Sequence, residues 1–348
     1  MKLLEGRQIG DVEDPVRAKL SMVAPILKAT LYSLARNRLE RLGGPVHVTL
    51  HDLSREFREG NGDAGICFEY AVHEAIAANN PLIHPLTSEV LEELCKITGG
   101  AHSILFGPEK EGVIPILESV ANALTHESVV YVGNKGRPPK LRRYIPRIIR
   151  AYRRNEEQNR LPRSITGLWK ADLFLGNRER DAWVGTTIKI NPDQLQGGRG
   201  LRIGIYPKRN ASDTPRKDEE LNLIRLPLPY DGQFMEVFYK AFFLVRAFLR
   251  ADAQIPRPVD LPDAEDRLLT QELKQRRSFP ILDVVTAIAS MGQPALVQQA
   301  EVQDRPVNTS LSEGRGLQTG LFGEEESDTV SITPTPRETR IRIARHSV

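Results

Sequence analysis

Four residues stand out because their types and spacing could do chemistry. Three lie on one predicted hairpin, the acid Asp172, the hydroxyl Thr187 and the amine Lys189, and a second acid, Glu69, lies well upstream. The hairpin runs from Leu168 to Asn191 and reads as two strands joined by the polar turn Gly176-Asn177-Arg178-Glu179-Arg180-Asp181. Strand side chains alternate, so Trp169, Ala171, Leu173 and Leu175 share one face of the first strand, with Lys170 and Asp172 opposite. In the second strand Val184, Thr186, Ile188 and Ile190 share a face, and Trp183, Thr187 and Lys189 share the other. Two apolar faces can then pack on a core together, leaving the acid, the hydroxyl and the amine on the outer side of the hairpin. At its plainest this is a cross-strand ion pair worth under ~1 kcal/mol.

Glu69 sits in a predicted helix that starts near Asp63, a suitable N-cap, and continues through good helix formers from Ala64 to Asn79. Its neighbours Ile66, Cys67, Phe68, Tyr70, Ala71 and Val72 are apolar. An acid in such surroundings is costly unless it is paired or holds a cation. His73 and Glu74 are rivals on the same helix, and a solvent-facing Glu69 is the plain alternative.

An Asp at a strand end, followed on the next strand by a polar residue and a Lys two positions later, resembles the PD-(D/E)XK nuclease superfamily. The matching residues are Asp172 and Thr187-Ile188-Lys189. The resemblance implies that Asp172 and a helix-borne acid, Glu69, hold Mg²⁺ or Mn²⁺, with the Ile188 carbonyl as a third ligand. It implies that Lys189 positions or deprotonates the attacking water. Thr187 stands where the family usually has Glu or Gln, so Thr187 contributes at most through a coordinated water. Magnesium chemistry on phosphodiesters needs hard oxygen ligands and leaves waters on the ion, which makes the second carboxylate important. The resemblance covers about residues 63–250.

Charge adds an independent signal. The chain has 348 residues and a formal net charge of +3. From Lys135 to Arg163 there are eleven Lys or Arg against Glu156 and Glu157, a local +9. The rest of the chain must then be net negative, and such concentration points to a polyanionic partner. Arg143, Arg147, Arg150 and Arg154 recur at helical steps and form a stripe, while Ile145, Ile148, Ile149 and Tyr152 can hold the opposite face to the body. Lys135, Arg137, Lys140 and Arg153 add to the segment. Arg matches phosphate oxygens bidentately, and phosphate contacts position a duplex without reading its sequence. A solvated face is the plain alternative.

The remaining chain supplies the elements that must position these groups. Apolar content of 40% is ordinary for a soluble domain. Cys67 and Cys95 lie in helix-like segments and suggest buried thiols in a reducing compartment. The N-terminus lacks the apolar run of a signal peptide, and Phe234 to Leu249 is too short and charged to span a bilayer. The expected location is cytoplasmic, with no membrane contact. His51, His73, His84, His102 and His126 show no paired metal-ligand spacing.

A long amphipathic helix is expected over 14–42, ended by Gly43-Gly44, and a short strand over Val46–Leu50. A helix over Ser88–Ile97 with Ser88 as its cap follows, then a strand over Ala101–Phe106, a helix over Val113–Leu124 and a strand over Ser128–Val132. After the hairpin come strands over Leu201–Tyr206 and Leu221–Leu228, separated by an exposed loop, a buried helix over Phe234–Arg250 and a last apolar helix over Ser278–Met291. The expected class is α/β (α+β), a central mixed sheet flanked by helices. By resemblance the core is restriction-endonuclease-like. The expected organisation is an N-terminal helical segment (1–60), a nuclease-like core (61–250) with a basic insertion (134–163), a linker and terminal helix (251–291) and a disordered tail (292–348).

Within that tail, Gln318-Thr319-Gly320-Leu321-Phe322 resembles the pentapeptide by which bacterial DNA polymerases and repair proteins dock on the replication sliding clamp. Gln318 would hydrogen-bond at a pocket mouth while Leu321 and Phe322 fill it. The reading drawn from these residues is a metal-dependent DNA endonuclease of restriction, repair or phage defence. Many enzymes that cut both strands are dimers, so a homodimer is an open expectation. A non-catalytic DNA-binding scaffold and a clamp-docking adaptor stay open beside it.

Overall fold

The computed structural model describes residues 15–292, except 59, 61–62, 107–116, 118–119, 133–136, 167, 169–170, 197–199, 211, 230–233 and 254–263. The candidate DNA contact Lys135 and the tail residues Gln318, Leu321 and Phe322 therefore lie outside the described residues, and so do residues 293–348 of the segment expected to be disordered; its first residue, Gly292, is instead the buried end of the last helix.

Helices dominate the first part. They are α1 (Pro15–Tyr32), α2 (Arg36–Arg41), α3 (Leu50–Glu56), α4 (Asp63–Ala77) and α5 (Ile83–Cys95). The single helix expected over 14–42 is broken at residues 33–35. The strand expected over Val46–Leu50 is a helix start instead. Thr49 forms a capping box with Asp52, each side chain meeting the other's backbone N–H, and only an isolated bridge from Thr49 to Pro280 is strand-like. The helix expected to begin at Ser88 begins at Ile83, and the Ser88 hydroxyl accepts from the Ala101 N–H instead.

The sheet comprises β1 (His102–Leu105), β2 (Val129–Tyr131), β3 (Leu173–Asn177), β4 (Ala182–Ile188), β5 (Arg202–Pro207), β6 (Arg216–Asp218) and β7 (Leu223–Leu228). Its order is β1-β3-β4-β5-β7-β6, and β2 also pairs with β4. The pairs β1–β3, β3–β4 and β6–β7 are antiparallel; β2–β4, β4–β5 and β5–β7 are parallel. The sheet is thus mixed, as expected, and flanked by helices. The loop expected between β5 and β7 contains the short strand β6, paired along β7.

Strand β4 is the centre of this arrangement. One edge pairs with β3, while β2 takes residues 182–184 and β5 takes residues 185–188 along the other. The β3–β4 turn is tied at both ends. The Asn177 side-chain amide donates to Gly99 O and Gly100 O. Asp181, at φ 51°, accepts from the Thr125 and Ser128 hydroxyls. Gly176 is required where the strands close, since a Cβ there would collide with the Ala182 carbonyl and Trp183.

Both faces of the sheet are covered. Leu173, Leu175, Val184, Ile188, Ile203, Ile205, Ile224 and Leu226 pack in one cluster with residues of α1, α4 and α5, of α9 (Phe234–Ala253), and of α11 (Ile281–Gly292). Helix α10 (Ala264–Gln275) adds Leu269 and Leu273. On the other face Phe174 and Trp183 join Ile104, Phe106 and Val130 beneath Leu117, Val120, Leu141, Ile145, Ile148 and Ile165. This corrects the expected outer side of the hairpin. The face that carries Asp172 and Thr187 also carries the large apolar residues Phe174 and Trp183, which must be buried, so a second layer closes over it.

The second layer contains the basic segment. A 3-10 turn over Leu141–Tyr144 leads into α6 (Ile145–Arg153), with Pro146 in its first turn, and the short helices α7 (Asn155–Gln158) and α8 (Arg163–Thr166) follow. Of the residues expected to face the body, Ile145 and Ile148 are buried and Ile149 is half-buried against the same cluster, while the Tyr152 side chain is outside the described residues; Arg143, Arg147, Arg150 and Arg154 are all exposed. No helix of the described residues is long and apolar enough to cross a membrane.

Candidate active site

Asp172 is placed by backbone before its side chain does anything. Its N–H donates to Thr186 O at 2.8 Å, and its carbonyl accepts from Phe106 N at 2.9 Å. These bonds extend the ladder one residue beyond β3 on both sides. The register Leu173↔Thr186 then puts Asp172 opposite Thr187, at the end where β4 runs out. Lys189 follows immediately, its N–H donating to Ile205 O at 3.0 Å. Three groups separated in sequence by the hairpin are therefore fixed by strand pairing.

Asp172 is 8% exposed, and its carboxylate is met on one oxygen by three donors. Oδ2 accepts from the Ile188 N–H at 2.7 Å, the Thr187 hydroxyl at 3.1 Å and the Lys189 ammonium at 3.4 Å. Burial without such donors would be costly for a carboxylate. Ile188 was expected to offer its carbonyl, and the contact it makes with Asp172 is through its amide. The Ile188 side chain is in the core.

Glu69 enters from α4. Phe68, Tyr70 and Val72 lock that helix into the main core, and Glu69, at 5% exposure, is itself buried. The solvent-facing alternative for Glu69 does not hold. Its Oε1 stands 3.9 Å from Lys189 Nζ, so one ammonium faces both carboxylates. The Lys189 side chain is 32% exposed and forms the solvent side of the cluster.

The rivals on α4 have other engagements. Glu74 Oε1 accepts from Lys28 Nζ at 2.9 Å. Burial pushes the Glu74 carboxyl up, but the Lys28 charge and hydrogen bond prevail and hold it below the ordinary carboxylate range. His73 Nδ1 lies 2.8 Å from the Ser103 hydroxyl.

Two carboxylates are hard-oxygen donors, which suit Mg²⁺ or Mn²⁺ in kind. Among the described residues no group of three or more His, Cys, Asp or Glu is arranged to hold a metal. A cation between Glu69 and Asp172 would therefore complete its shell with water, as Mg²⁺ commonly does.

The basic residues lie on the layer that covers the Asp172 and Thr187 face. Arg137, Arg150 and Arg154 are among its outward groups, with Arg143 and Arg147 on the same stripe. Lys140 is half-buried and pairs with Glu127 at 2.5 Å, so part of its charge is already matched. The Arg153 side chain is outside the described residues.

Sequence reasoning missed the Ile188 amide as a partner of Asp172. It also missed Arg209, whose guanidinium meets Asn191 Oδ1 at 2.5 Å and Asp193 Oδ2 at 3.0 Å just beyond Lys189. Neither has a side-chain signature, since one is a backbone group and the other a single charge on a loop. Compared with known proteins, the chain matches no family model, no curated protein and no solved structure.

Proposed function

We propose that this chain is a metal-dependent DNA endonuclease of the PD-(D/E)XK kind, hydrolysing phosphodiesters with Mg²⁺ or Mn²⁺. The observation that carries the reading is the meeting of Glu69 and Asp172 on the Lys189 ammonium, from a helix and two strands. A sheet hairpin has its own reasons to pair Asp172 with Lys189. It has none to bring a buried helix acid to the same ammonium.

In this reading Glu69 and Asp172 hold the cation, which would supply charge stabilisation to the scissile phosphate when bound. Lys189 orients the attacking water and donates to the phosphate oxygen as negative charge develops on it. Arg143, Arg147, Arg150 and Arg154 grip backbone phosphates and seat the duplex. Cutting both strands would call for two copies of the chain. Gln318, Leu321 and Phe322 would tether the enzyme to a sliding clamp, which suits restriction, repair or phage defence at replicating DNA.

Thr187, standing where an acid is usual, favours a second reading: a DNA-binding scaffold on a nuclease fold that no longer cuts. Plasmid nicking with Mg²⁺ or Mn²⁺ separates the two. Nicked product that disappears with chelator supports the enzyme; intact plasmid with retained gel shift supports the scaffold. A gel shift that does not weaken with salt would remove both, since phosphate contacts are strongly salt-dependent.

A further inference from the structure

Thr186 and Thr187 are neighbours of the same type on β4, and their hydroxyls do different things. Thr186 Oγ1 donates to Val184 O at 3.3 Å, within its own strand. Thr187 Oγ1 crosses to Asp172 Oδ2. Both Thr187 and Asp172 are buried, at 5% and 8% exposure. With the Ile188 N–H on the same oxygen, the carboxylate is held by two donors from adjacent residues of one rigid strand. Among the described residues no donor reaches Asp172 Oδ1.

We infer that Thr187 is a positioning residue. Its hydroxyl donates a hydrogen bond to Asp172 Oδ2 and fixes the carboxylate so that Oδ1 is presented to a divalent cation, with Glu69 as the other acid of the site. The inference rests on the nuclease reading and assigns Thr187 a part in it. It explains how the site can work without a carboxylate at this position: a threonine tightens the remaining acid rather than adding a ligand. Groups that orient a ligand carboxylate typically change metal affinity or activity ~10–100-fold when removed. Valine has the same shape but no proton to give. Serine keeps the proton.

The test is Mn²⁺ titration of the full chain, read by the loss of the free-ion paramagnetic resonance signal. Wild type, Thr187→Ser, Thr187→Val and Asp172→Asn are compared, with melting of each metal-free protein as a folding control. Thr187→Ser should bind within a few-fold of wild type. Thr187→Val should weaken binding by at least ~10-fold while the metal-free protein still melts in one cooperative transition, at a lower temperature because a buried carboxylate has lost a donor, and Asp172→Asn should lose the site. Wild-type affinity in Thr187→Val overturns the inference while leaving the nuclease reading standing. Loss of affinity in both Ser and Val variants also overturns it, because the hydroxyl donor would not be what matters. Absence of any Mn²⁺ binding by wild type removes the metal reading and this inference together.

Discussion

Glu69, on α4, and Lys189, one residue past the end of β4, approach to 3.9 Å although they belong to different layers of the molecule. The ammonium is simultaneously 3.4 Å from Asp172. The layer packing brings Glu69 in, the strand ladder brings Asp172 and Lys189 in, and neither alone makes the cluster. The cluster is therefore tied to the packing of α4 on the sheet.

The arginine stripe should set affinity without setting rate. Replacing Arg143, Arg147 and Arg150 together by Ala should weaken DNA binding similarly for unrelated sequences. It should also lower the slope of log affinity against log salt by about 1 for each phosphate that is no longer neutralised. Filter binding at several salt concentrations reads both. An unchanged slope would leave the stripe as a solvated face.

The layer beneath the stripe depends on Trp183, 1% exposed, and Phe174, fully buried. Trp183→Ala or Phe174→Ala should cost about 3–5 kcal/mol through reduced burial and a cavity. The Trp183 indole N–H is buried with no acceptor among the described residues. Trp183→Phe keeps much of the bulk and removes that unsatisfied donor, so it should cost clearly less. Urea unfolding of the three variants gives the order.

How much of this is legible in the sequence differs by residue. Asp172, Thr187 and Lys189 can be aligned because the period of two in a strand is strict and the turn between the strands is polar. Glu69 can be singled out because an acid among Phe68, Tyr70 and Val72 needs a reason. The burial of the hairpin's second face is also signalled, by Phe174 and Trp183, but the polar groups on the same face argue the other way. At Thr49 the local code is present as Thr-x-x-Asp, and it competes with the β-branched residues of Val46–Leu50, which favour a strand. Long-range partners such as Asn177 on Gly99, or Arg209 on Asn191, depend on where loops return and have no signature in a short window.

Cys95 gives a chemical check on the packing around α5. Burial pushes its thiol up to about 12. A raised thiol pKa leaves little thiolate at neutral pH, and the thiolate is the reactive form. Iodoacetamide should therefore leave Cys95 unmodified at pH ~7.5 in the native protein and label it rapidly in urea. Rapid native labelling would mean that the α5 end opens.

The tail should act on location and leave chemistry alone. Deleting residues 317–323 should abolish capture by an immobilised bacterial sliding clamp and leave plasmid nicking in solution unchanged. Capture that survives the deletion would remove Gln318, Leu321 and Phe322 as the docking peptide.

The central claim is that Glu69, Asp172 and Lys189 are one phosphodiester-cleaving site. Its most direct measurement is plasmid nicking by wild type and Lys189→Ala with Mg²⁺ or Mn²⁺, at protein concentrations where gel shift shows both bind DNA equally. The account predicts nicking by wild type and a loss of at least ~100-fold in the variant, the scale on which one group stabilising transition-state charge acts. Wild-type rates in Lys189→Ala, or no cutting by wild type with either metal, would contradict it.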